Sequence, residues 1–105
     1  MVTEKDINTV VARIIEFYKP QQIILFGSYA MGTADENSDL DLLLVKDTDE
    51  PVLNRTEGIY KVLRDLFLPM DILVYTPSEI RKDKDRKFTF IHQALKTGKI
   101  LYGNG

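Results

Sequence analysis

Asp39 and Asp41 stand two residues apart at the head of an apolar run, and Gly27-Ser28 lies upstream in the same stretch, "LFGSYAMGTADENSDLDLLLV". In an extended strand residues i and i+2 point to the same face, so two carboxylates are held within a few ångströms of each other. Each raises the cost of ionising the other unless a cation neutralises both. Oxygen-only donors, in a chain with no cysteine, select magnesium or manganese over zinc. A third acid, Asp71, opens "PMDILVY". If the strands bearing Asp41 and Asp71 are parallel neighbours, a right-handed crossover returns Asp71 to the same sheet edge. Three carboxylates there suit a two-metal site for phosphoryl or nucleotidyl transfer. Gly27 after a buried strand permits close backbone approach. The free amides of a following short helix, with the Ser28 hydroxyl, can hold the phosphates of a nucleoside triphosphate.

Taken singly, each residue has an ordinary explanation: Gly27-Ser28 as a strand-to-helix turn, each aspartate as a solvated strand end. Their joint occurrence favours the triphosphate-metal site.

The elements that must position them follow from local patterns. Thr3 can cap a helix whose apolar positions Ile7, Val10, Val11, Ile14, Ile15, Phe17 and Tyr18 recur at helical spacing until Pro20. Gln22 to Phe26 reads as a strand ended by Gly27, and Asp39 to Val45 as a central strand, apolar on both faces in "LLLV". Pro51 suits the start of a helix carrying Val52, Thr56, Ile59, Tyr60, Leu63, Leu66 and Phe67 on one side, ended by Pro69. Met70 to Tyr75 is a third strand. "TPSE" then combines an N-cap, a proline at the first helical position and a capping-box glutamate. Phe88, Ile91 and Leu95 continue a helical face to Gly98 as C-cap, and "KILY" can add a last strand. The alternation predicts an α/β sandwich, one sheet with helices against it.

The 105 residues, 44% hydrophobic, suit one domain over 1–105. With 14 Lys and Arg against 16 Asp and Glu the net charge is -2, so no positive field favours direct nucleic-acid binding. The absence of cysteine, of a membrane-length apolar run and of a signal-like N-terminus is read as a soluble protein of the cytoplasm.

Gly27-Ser28, ten intervening residues and Asp39-Leu40-Asp41 resemble the GS-x10-D-x-D signature of the DNA polymerase β nucleotidyltransferase superfamily. With Asp71 and the terminal "GKILYG", the chain resembles its minimal nucleotidyltransferases. The resemblance implies an α+β fold, a mixed sheet of about four strands with flanking helices. It also implies ATP with Mg2+ (or Mn2+), Asp39, Asp41 and Asp71 as catalytic metal ligands, Asp71 assisting the attacking hydroxyl, and Gly27 and Ser28 at the nucleotide. Members of this group pair with HEPN-domain toxins and add AMP to a toxin tyrosine, so a hetero-oligomer with an antitoxin role is implied. Many relatives have arginine where this chain has Met31, and methionine cannot pair with phosphate; position 31 is either a loss at the nucleotide or a surface position.

Two other functions compete: a non-catalytic module that neutralises its partner by occlusion, and a small-molecule nucleotidyltransferase, which would need a second domain to hold its substrate. His92, in an apolar helical pattern, reads as structural. Arg81 to Lys87, of mixed sign, reads as a solvated face. Tyr29 can stack on a base or pack against the first helix, and Asp35 to Asn37 are ordinary turn residues.

Overall fold

The structure, a computed structural model, describes residues 1–87 and 89–103. Helix α1 spans Glu4–Tyr18. Thr3 Oγ1 accepts the Asp6 amide at 3.1 Å while the Asp6 carboxylate accepts the Thr3 amide at 2.9 Å, satisfying two donors of the first turn. Lys19 ends it with a left-handed φ of 53° ahead of Pro20. The Lys46 ammonium then donates to the last carbonyls, Tyr18 O at 2.9 Å and Lys19 O at 3.1 Å, where the helix dipole favours a cation.

Strands β1 (Gln22–Phe26), β2 (Leu40–Val45), β3 (Met70–Tyr75) and β4 (Lys99–Tyr102) form one mixed sheet in the order β3-β2-β1-β4. β1 is antiparallel to β2 and β4, and β2 is parallel to β3. The central place expected for β2 is observed: Leu42, Leu43, Leu44 and Val45 are all buried, which residues on both faces of an inner strand must be. Leu42, Leu44, Ile72 and Val74 join Val10 and Ile14 of α1 with Ile59 and Leu63 of α3 (Glu57–Leu63). On the opposite face Ile24, Leu43 and Val45 pack against Ile91 and Ala94 of α5 (Phe90–Thr97). Each fully buried leucine contributes about 1.5–3 kcal/mol, so β2 anchors both layers.

Three expectations are corrected. The segment after Pro51 is not one helix but a 3-10 turn at Val52–Asn54, then α3, then a second 3-10 turn at Arg64–Leu66. The break falls at buried Arg55, whose guanidinium donates to Glu50 O at 3.0 Å, Val74 O at 3.1 Å and the Glu79 carboxylate at 2.7 Å. These tertiary bonds outweigh helical continuation. Val52, Tyr60 and Phe67 are accordingly exposed rather than gathered on one buried side, and Phe67 closes the segment at a left-handed φ of 53°. The "TPSE" capping box is present at the start of α4 (Pro77–Asp83), but the chain breaks before α5. Thr89 recaps it by accepting the His92 amide at 3.1 Å. Phe88 lies outside the described residues, and Leu95 is exposed. Finally, Phe17 is exposed on α1 and rests beside Gly58. No helix among the described residues is long and apolar enough to cross a membrane.

Candidate active site

Parallel register sets Asp71 of β3 directly opposite Asp41 of β2, and antiparallel register sets Phe26 of β1 opposite Asp41 on the other side. Asp39 precedes the first residue of β2 and is exposed, while Asp41 is half-buried. A reciprocal turn delivers Asp39: Ser38 Oγ accepts the Asp35 amide at 2.9 Å, and Asp35 Oδ1 accepts the Asn37 amide at 2.8 Å. Burial first, then the charges of Asp71 and Asp39, holds Asp41 above the ordinary carboxylate range. All three expected acids therefore lie within electrostatic reach at one end of the sheet. Among the described residues, no three acidic or histidine side chains close into a ligand set on their own.

Gly27 adopts φ 74° and ψ -154°, a region reserved for glycine. A Cβ there would overlap Asp41 Oδ2 and lie 3.1 Å from Asp41 Cγ. The close approach expected of this glycine is present, and its object is the Asp41 carboxylate. Helix α2 (Ser28–Met31) follows. The amides of Ala30 and Met31 both donate to Gly27 O at 3.1 Å, whereas those of Ser28 and Tyr29, in the first turn, have no acceptor within the helix. Met31 is 61% exposed, so its side chain is not used for packing.

The discounted residues have structural partners. Tyr29 is half-buried and its hydroxyl accepts the Val2 amide at 2.9 Å. His92 Nδ1 lies 2.9 Å from Lys84 O. Within 81–87, Arg86 and Asp83 form a 3.7 Å ion pair and the other side chains are exposed. Sequence reasoning missed an aromatic row: Phe90 meets Phe26 edge-on at 5.0 Å and stacks on Tyr75 at 6.1 Å. Strand alternation puts Phe26 and Tyr75 on the sheet face of Asp41, but Phe90 reaches them only because α5 folds back over the sheet. A concavity of about 770 Å³, lined by Arg13, Phe17 and Lys61 among others, lies between α1 and α3 on the other face and does not include Asp39, Asp41 or Asp71.

Residues 7–96 match the nucleotidyltransferase domain family. The chain belongs to that family. A Methanocaldococcus jannaschii relative named "putative protein adenylyltransferase" is 38% identical over 96 residues, covering 90% of this chain and 87% of the relative. A crystal structure of a toxin-antitoxin with AMP-PNP superposes with a TM-score of 0.65 at 26% identity, covering 92% of this chain and 73% of that one. A Shewanella oneidensis complex, described as a tri-AMPylated HEPN toxin with MNT antitoxin, shares the fold at a TM-score of 0.57 and 22% identity, over 92% and 69% of the respective chains. The resemblance to minimal nucleotidyltransferases is borne out for family and fold, including the mixed four-stranded sheet. This nucleotidyltransferase thus carries its Gly-Ser and Asp-x-Asp residues within the matched span.

Proposed function

We propose that this nucleotidyltransferase, a single domain over 1–105, transfers AMP from ATP to a tyrosine hydroxyl of a HEPN-domain toxin in the cytoplasm and so serves as its antitoxin. The observation that carries the reading is the in-register Asp41–Asp71 pair, with Gly27 backbone packed against the Asp41 carboxylate. The relatives support it: one bears an adenylyltransferase name, one structure was solved with AMP-PNP, and another holds an AMPylated HEPN toxin.

Asp39, Asp41 and Asp71 offer the hard oxygen donors that Mg2+ or Mn2+ takes and would hold the metal together with phosphate oxygens of the nucleotide, since the acids do not close into a ligand set on their own. When bound, the metal would neutralise the triphosphate and polarise its α-phosphate. The Ser28 hydroxyl and the Ser28 and Tyr29 amides hold phosphate oxygens, with Gly27 keeping the turn open. Asp71, more exposed than Asp41, faces the acceptor and takes the tyrosine proton. The tyrosine oxygen then bonds the α-phosphorus and pyrophosphate departs.

Met31, which offers no charge to phosphate, favours a second reading in which the chain neutralises its partner by occlusion alone. Incubation of the co-expressed pair with ATP and magnesium separates the two. Enzymatic neutralisation adds about 329 daltons per AMP, from nucleotide chemistry, and the separated partner stays inactive. An unmodified partner that regains activity on separation, and is still neutralised by the Asp39→Asn/Asp41→Asn double variant, would defeat the enzymatic reading. Calorimetry tests the metal: ATP affinity should collapse in excess chelator.

A further inference from the structure

β3 is an outer strand, held by the ladder on one side only. Pro69 O and Tyr75 O accept from β2-side amides, Leu40 and Lys46, so the odd-numbered residues of β3 face β2 and the even-numbered ones turn their backbone groups outward. The first outward amide is met from outside the sheet: Ile72 N–H donates to Tyr60 Oη of α3 at 2.8 Å. That amide belongs to the Asp71–Ile72 peptide unit. Its carbonyl side, on Asp71, turns toward β2, so the same peptide is gripped from both edges. Among the described residues no other side chain hydrogen-bonds the β3 backbone so near its start, where the chain has just left the left-handed turn at Phe67. Arg55 grips the strand only further on, at Val74 O.

We propose that Tyr60 is a positioning residue for nucleotidyl transfer: its hydroxyl fixes the Asp71–Ile72 peptide and thereby the setting of the Asp71 carboxylate toward the acceptor hydroxyl. The proposal rests on the reading of Asp71 given above. The Tyr60 ring is partly exposed, so Tyr60→Phe keeps its packing and deletes only the hydrogen-bond acceptor. A misplacement of about 1 Å at a reacting group costs on the order of a hundredfold in rate, and loosening one peptide should cost part of that.

The test measures AMP incorporation from α-labelled ATP into the co-expressed HEPN-domain partner. Tyr60→Phe should lower kcat about 5- to 20-fold with KM for ATP unchanged within about twofold. In an Asp71→Asn background it should have no further effect. Exchange of the Ile72 amide should quicken about tenfold. An unchanged kcat, a loss that appears as raised KM, or an equal loss with and without Asp71 would each overturn the proposal while leaving the transferase reading intact. No incorporation by the unsubstituted chain would overturn that reading and this proposal with it.

Discussion

Replacing Gly27 by alanine perturbs a point where the backbone packs directly against the Asp41 carboxylate. Two separable costs follow. The backbone, at φ 74° and ψ -154°, lies where a residue with a Cβ is strained by about 1–3 kcal/mol. The new methyl would also overlap Asp41 Oδ2, with Cγ only 3.1 Å away, so the carboxylate must retreat by roughly 1 Å to reach ordinary contact. A displacement of that size in a reacting constellation costs on the order of a hundredfold in rate. The strain should lower Tm by about 4–8 °C per kcal/mol for a domain near 100 residues. AMP incorporation and thermal melts of Gly27→Ala read both, and circular dichroism confirms that the variant folds. Melts in an Asp41→Ala background divide the cost: with the carboxylate gone, alanine at 27 should cost the backbone strain alone. A Gly27→Ala chain with unaltered kcat would refute the placement of Asp41 against this turn. An equal Tm loss in both backgrounds would refute the overlap.

Asp41 is held above its ordinary value of 3.8, so the folded state binds its proton the more tightly and loses stability as pH rises through that raised value. Asp41→Asn should therefore melt higher than the parent at pH 7 without divalent metal, and the two should converge below pH 3.8; a lower Tm at pH 7 would make the carboxylate structural. Glu79 is shifted the other way, below 4.5, first by the Arg55 hydrogen bond and then by the Thr76 amide. Its contribution is present above pH 4.5 and lost as pH falls through the depressed value. Since Arg55 is only 8% exposed, Glu79→Gln should cost about 1–2 kcal/mol at pH 7, discounted for the partial exposure of Glu79, and nothing in strong acid, as urea titrations at the two pH values would show. Met31→Arg, at an exposed position, should leave Tm unchanged and AMP incorporation equal or higher. A sharp fall in incorporation would mean that the partner contacts this position.

What the residues determined by themselves is what depends on near neighbours. The helix starts at Thr3 and Thr76 are reciprocal bonds closed within three residues. The unbroken apolar run of β2 could be buried only between two layers, and Asp39, just before β2, and Asp41, its second residue, lie at one end of it because they are two residues apart. Asp71 could be expected beside them, but only the parallel register between strands some thirty residues apart set it opposite Asp41. Tertiary structure also decided what local pattern could not encode. Arg55, drawn to Glu50, Val74 and Glu79, broke a segment that reads as one helix. Gly27 lies against Asp41 because the chain returns after α2 and sets β2 antiparallel to β1. Phe17 and Phe67 stay exposed and Phe90 reaches Phe26, because burial depends on what packs over a side chain and not on the side chain itself. Periodicity carries the direction in which a residue points; the partner it meets there is supplied by chain returning from elsewhere, through bonds whose strength the intervening sequence does not record.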